Sequence, residues 1–212
     1  MDLATWLGFF GASWAISLSP GAGAVAAMGA GLHHGFRRGY VLTFGLVLGI
    51  LTQLVVVGVG LGALVATSTT FFQIVKWTGV SYLVWLGVQQ WRAPARPLEV
   101  DANDDGMAAS VRPAALVLRG WMINAVNPKG TVFLLAVVPQ FIDPAAALWP
   151  QYAVIGATLV FTDLVVMAGY TALAARVLGA LRSPTQMRWT QRVFGSLFIV
   201  AAGLLSAFRR GA

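Results

Sequence analysis

The sequence predicts an all-α integral membrane protein: six transmembrane helices forming two inverted three-helix repeats, with helices one and four broken near mid-membrane. Three observations lead there. The chain of 212 residues is 58% hydrophobic and only 10% charged, with a mean hydropathy of +0.77, whereas soluble domains carry about 25% charged residues. Six apolar runs divide it. Two of them contain proline deep inside, at Ser19-Pro20-Gly21 and Asn127-Pro128-Lys129.

The runs lie at roughly 4–31, 40–66, 71–91, 113–139, 148–175 and 190–208. Each approaches or exceeds the ~20 residues that cross a hydrocarbon core. Helices are the expected form, because an open strand leaves backbone groups unsatisfied in lipid. The sixth run is the shortest, Val193 to Phe208 between Arg192 and Arg209, and arginines at its ends can snorkel to the interface. The polar stretch RAPARPLEVDANDDGMAASVR, 92–112, reads as an exposed linker from its Pro and acidic content. It separates a first repeat, about 1–91, from a second, about 113–212, within one membrane domain.

Charge placement sets the expected orientation. Arg37, Arg38, Arg92, Arg96, Arg112, Arg119, Arg176, Arg182, Arg188 and Arg192 share one face, against Lys76, Arg209 and Arg210 on the other. The positive-inside rule puts the first face in the cytoplasm and both termini outside. The net charge of +7 is thus spent at helix ends, and no basic face interleaved with aromatics suggests nucleic acid. The basic start of a signal peptide is missing, since the first Lys or Arg is Arg37. Zero cysteines exclude disulfides and thiolate metal sites, and the two adjacent histidines, His33 and His34, make a poor metal cage and read as short-loop residues. No cofactor is expected.

The two prolines are at matched depths. Ser19 is about 22 Å into run one, and Asn127 about 21 Å into run four, at 1.5 Å per residue. Three helices reverse the direction of the second half, so the breaks are entered from opposite sides, as in an inverted repeat. An offset of about 110 residues sets Gln53, the only amide in run two, opposite Asp163, the only charge in run five. Ordinary roles compete at each position. Pro20 and Pro128 can be plain kinks; Lys129 and Asp163 can pair as structural glue; Gln53 suits an interhelical hydrogen bond. Gly45 with Gly49, and Gly58 with Gly62, form GxxxG spacings that favour close helix packing. Trp77, Trp91, Trp121, Trp149 and Trp189 lie near run ends and read as an interface belt.

A buried cation with a buried anion is complementary to a zwitterion. Lys129 and the free N–H groups of a restarting helix favour a carboxylate. Asp163, or carbonyls freed at Pro20 and Pro128, favour an ammonium. Asp163 is also able to bind and release a proton as a cavity opens to either side. The candidate substrate-binding or coupling residues are therefore Ser19, Pro20, Gly21, Gln53, Asn127, Pro128, Lys129 and Asp163, the minimum for proton-coupled transport of an amino acid. A membrane enzyme is the first rival. The chain has no HExxH, GxSxG or buried aspartate pair, and a Ser19–Lys129 dyad lacks an evident oxyanion site. A non-transporting membrane partner, and an exporter of another amino acid such as lysine, are the others.

The stretches ISLSPGAGAVAAMGAGLHHGFRRG (16–39), KWTGVSYLVWLGVQQWRA (76–93), NAVNPKGTVFLLAVVPQF (124–141), DLVVMAGYTALAAR (163–176) and FGSLFIVAAGLL (194–205) resemble the lysine-exporter superfamily, and within it the homoserine/threonine-resistance branch. The resemblance covers nearly the whole chain. Much of the family reads SPGPN at the first motif; Ala22 and Gly23 stand here instead, which removes an Asn ligand and is similar to the homoserine branch. The resemblance implies export of small neutral amino acids and derivatives (homoserine, its lactone, threonine) across the inner membrane, driven by protons. It leaves homo-oligomerisation open.

Overall fold

The computed structural model describes residues 1–65, 69–92, 112–174 and 184–207. All regular structure among them is helical: α1 (Leu3–Leu18), α2 (Ala22–Gly39), α3 (Val41–Val65), α4 (Thr69–Arg92), α5 (Pro113–Ala125), α6 (Pro128–Val137), α7 (Leu148–Ala172) and α8 (Pro184–Ala207), with a 3-10 turn at Val138–Gln140. Most of the predicted linker, 93–111, lies outside the described residues, as do Arg176, Arg182, Arg209 and Arg210.

Local chemistry explains where helices stop. Asp2 caps α1 by accepting the Thr5 N–H at 2.9 Å, which satisfies one of the donors a helix start leaves open. Residues before proline avoid the helical region, and Ser19, before Pro20, is extended at φ −70°, ψ 118°. Asn127, before Pro128, is extended at φ −70°, ψ 110°. Pro128 then occupies the first turn of α6, and Pro113 that of α5, where a missing N–H does no harm. The axes of α1 and α2 differ by 56°, and those of α5 and α6 by 55°.

Among the described residues, two helices are long and apolar enough to cross a membrane, Val41–Val59 within α3 and Leu148–Ala172, or up to four spans if each bent pair counts as one. At runs three and six, α4 and α8 are continuous helices of 24 residues. His33 and His34, expected in a loop, are instead in α2, which continues to Gly39 through a kink at Gly35. The kink has φ +69°, a left-handed conformation that only glycine adopts readily.

The helices exchange partners between the halves. α3 lies along α5, α7 lies along α2 and α1, and α4 lies along α8. Small residues make the first contact possible. A Cβ on Gly45 would overlap the Val117 carbonyl, and one on Gly49 would come within 2.7 Å of the Asn124 Cβ. Gly58 faces the Tyr152 ring, while the packing of Gly62 lies outside the description. Two apolar clusters result. One joins Phe9, Ile16, Ile50, Phe133, Leu134, Ile155 and their neighbours; the other joins Ala27, Leu42, Leu46, Leu116, Val166 and Met167. Large apolar side chains such as Val56, Val59 and Phe161 remain outside, as expected of a lipid-facing surface. The five interface tryptophans are exposed as well.

Candidate functional site

Both breaks open onto one cavity of about 50 Å³. Its polar lining comes from Ser17, Ser19, Asn124, Asn127, Lys129 and Asp163, and its apolar walls from Ile16 and Ile50 of one cluster and Leu46 and Met167 of the other. Gly21 and Gly23 line it at the start of α2. A larger depression of about 280 Å³ at Met1, Asp2, Trp6 and Gln151 is lined by neither Lys129 nor Asp163.

Lys129 reaches from the start of α6 to the end of α1, where its Nζ donates to the Ser19 carbonyl at 2.7 Å. The last carbonyls of a helix have no intrahelical donor, and a cation there is favoured by the helix dipole. The Tyr170 hydroxyl takes the neighbouring Leu18 carbonyl at 2.7 Å. Asp163 sits on α7, only 6% exposed, and its Oδ1 accepts from the Ser17 hydroxyl at 2.6 Å. Among the described residues no salt bridge joins Lys129 to Asp163, and Asp163 Oδ2 takes no hydrogen bond. The two charges face one cavity within electrostatic reach of each other but without a salt-bridge contact.

Gln53 does not line the cavity. Its Nε2 donates to the Asn127 carbonyl at 2.9 Å and to Thr131 Oγ1 at 2.8 Å, so it makes an interhelical hydrogen bond across the α5–α6 break. Gly130 gives it room: a Cβ there would come within 2.6 Å of Gln53 Oε1, an atom that is buried without a partner. Asn127 caps α6 through its side chain, accepting the Lys129 N–H at 3.1 Å, and donates to Asn124 Oδ1 at 3.2 Å. Asn124 in turn donates to the Leu46 carbonyl at 2.7 Å. At the other break Gly21 supplies no side-chain cap to α2.

The structure therefore brings Ser19, Gly21, Asn127, Lys129 and Asp163 to one cavity, leaves Pro20 and Pro128 as the causes of the breaks, and sets Gln53 behind the wall. Sequence reasoning passed over Ser17 and Asn124. Their signal was spacing: Ser17 is two residues before Ser19, and Asn124 is one helical turn before Asn127.

The sequence matches the LysE type translocator family over residues 14–207. The chain belongs to this family. A relative in Salmonella typhimurium, described as a homoserine/homoserine lactone efflux protein, is 39% identical over 99% of both chains. An uncharacterized membrane protein of Vibrio cholerae is 43% identical, covering 97% of this chain and 98% of its own. A leucine efflux protein of an Enterobacter species is more distant, 26% identical over 91% of this chain and 90% of its own. No solved structure matches.

Proposed function

We propose that this chain is a secondary transporter that exports small neutral amino acids and derivatives (homoserine, homoserine lactone and threonine) from the cytoplasm in exchange for protons. The carrying observation is that Lys129 and Asp163 line one cavity between two helix breaks without pairing to each other. Intramembrane charges are expensive and mark transport pathways, and discontinuous helices meeting at mid-membrane form the binding sites of inverted-repeat transporters. The 39% identity to a homoserine/homoserine lactone efflux protein supports the cargo class.

On this reading α1 with α2, and α5 with α6, are single broken spans, which with α3, α4, α7 and α8 give six. The exchanged packing supports the inverted repeat: Gln53 of the first half holds the second half's break, while Asp163 and Tyr170 of the second half hold the end of α1. Both termini then lie outside an inner membrane. Asp163 binds the cargo ammonium or a proton by turns, and Lys129 with the uncapped start of α2 receives a carboxylate. A cationic cargo such as lysine is less suited, because Asp163 is the one acid on the cavity wall.

Proteoliposomes of the purified chain test this. Labelled homoserine is expected to move faster with an imposed proton gradient than without one, and Asp163→Asn to abolish the gradient-driven part. Gradient-independent flux, or full gradient-driven flux in Asp163→Asn, contradicts the coupling role. No flux of homoserine, threonine, lysine or the lactone in folded protein contradicts the transport reading.

A further inference from the structure

Asp163 on α7 and Lys129 on α6 suit the two ends of a zwitterion, but the cavity lining also holds a neutral amide. Asn124, in the last turn of α5, lines the cavity and is only 9% exposed. Its amide is held at two points. Nδ2 donates to the Leu46 carbonyl of α3 at 2.7 Å, and Oδ1 accepts from Asn127 Nδ2 at 3.2 Å. Asn127 is pinned in turn, because its own Oδ1 accepts the Lys129 N–H that it caps. These contacts fix the plane of the Asn124 amide. An amide NH2 carries a second hydrogen, and among the described residues the second one on Asn124 has no acceptor. Leu46 and Ile50 make the α3 wall of the cavity apolar, so the protein offers that N–H no partner there. A buried donor without a partner costs free energy that an arriving acceptor recovers.

We infer that Asn124 reads an oxygen on the side chain of the cargo, with Asn127 as its positioning residue. The hydroxyl of homoserine, the hydroxyl of threonine and the ring oxygen of the lactone all accept an N–H, so one fixed donor serves all three. A hydrocarbon of the same shape leaves the donor unpaired. A site built to hydrogen-bond a hydroxyl rejects the analogue that lacks it, whereas an apolar pocket separates hydroxyl from methyl poorly. The accepted class is then narrower than small neutral amino acids: it is those with an oxygen on the β or γ carbon. The inference rests on the cavity being the transport site, and it adds the residue that selects among neutral cargoes.

Competition against labelled homoserine flux in proteoliposomes tests it. Norvaline replaces the homoserine hydroxyl by a methyl, and valine does the same for threonine, with both charges kept. In the wild type each hydrocarbon analogue is expected to inhibit about tenfold more weakly than its oxygen-bearing partner, or weaker still. Asn124→Leu removes the amide and keeps a side chain of similar shape, and the norvaline-to-homoserine ratio is expected to fall to within about threefold. Asn127→Ser keeps an oxygen to cap α6 and loses the N–H that orients Asn124, so the ratio is expected to fall by about threefold. A helix-packing role alone would weaken all four compounds alike and leave the ratio at its wild-type value. The inference is overturned if norvaline and valine compete as well as homoserine and threonine in the wild type. It is equally overturned if the ratio keeps its wild-type value in either variant that transports, or if it collapses in Ser19→Ala and not in Asn124→Leu. Absent homoserine flux in the wild type overturns the transport reading and this inference with it, whereas flux with any of these results overturns this inference alone.

Discussion

Lys129 Nζ lies 2.7 Å from the carbonyl oxygen of Ser19, 110 residues away in sequence. This bond ties the helix that restarts after one break to the helix that stops at the other. Each half of the chain thereby completes the interrupted helix of its counterpart, and the cavity is where the two interruptions meet.

The same exchange makes Gln53 a support for the second break. In Gln53→Leu the bonds to the Asn127 carbonyl and Thr131 Oγ1 are lost; the Asn127 carbonyl keeps the Thr131 N–H and hydroxyl as donors, so the cost is that of the lost bonds, about 0.5–1.5 kcal/mol each. The expected result is a lower unfolding temperature in detergent and slower homoserine flux. An unchanged unfolding temperature would show that the break stands without this support.

Ser17 holds the Asp163 carboxyl with the cavity's shortest hydrogen bond, 2.6 Å. Ser17→Ala is expected to lower homoserine flux about tenfold, in line with loss of a hydrogen bond to a charged group, and Ser17→Thr to restore most of it by keeping the hydroxyl. Equal flux in the Ala and Thr variants would assign Ser17 a packing role only.

Glycines separate into those that permit contact and those that do not. Gly45→Ala places a methyl against the Val117 carbonyl, and overpacking of this kind costs about 1–3 kcal/mol. A Cβ on Gly11 meets nothing within 4 Å, so Gly11→Ala is expected to be neutral or to stabilise by up to about 1 kcal/mol through its higher helix propensity. Thermal unfolding of the two variants side by side checks the contrast.

At the chain start, the Thr5 N–H and hydroxyl both donate to Asp2 and hold its carboxyl below the usual value of 3.8. A carboxyl lowered in this way stabilises the first turn of α1 above pH 3.8, and the contribution disappears as the pH falls through the lowered value. Protection factors of the amides at residues 3–6, with the intrinsic pH dependence of exchange divided out, are expected to fall on acidification in the wild type and to show a smaller pH response in Asp2→Asn.

How much of this was legible in the sequence depends on the kind of signal. Composition and run length announce helices, because nothing but hydrocarbon suits surfaces such as Val55, Val56 and Val59. Proline is equally plain: it has no N–H and constrains the residue before it, so Pro20 and Pro128 show where α1 and α5 must end. Partner choice was less legible. Ser17 and Asn124 look like ordinary small polar residues in a membrane helix, and only the crossing of α1 on α7 and of α3 on α5 gives them the Asp163 carboxyl and the Leu46 carbonyl. Gln53 matches Asp163 in register yet points at the α5–α6 break, since a side chain's target depends on helix rotation, which a one-dimensional offset does not contain. The helical placement of His33 and His34 was hidden by Gly35, whose left-handed conformation kinks the chain between the helical segment that holds them and a short one that runs to Gly39.

The absence of native cysteine allows the cavity to be probed directly. Gly23 lines it, and a Cβ there meets the Leu46 side chain at an ordinary 3.5 Å, so a Gly23→Cys variant offers a single thiol at the site. Its rate of modification by a small neutral methanethiosulfonate is measured in transport-competent proteoliposomes, with and without saturating homoserine, beside an Ala145→Cys control in the exposed loop before α7. If the cavity between the two breaks is the transport site, homoserine slows labelling of the Gly23→Cys variant by about fivefold or more and leaves the control unchanged. Equal labelling rates with and without homoserine, in a variant that still transports it, would contradict the account.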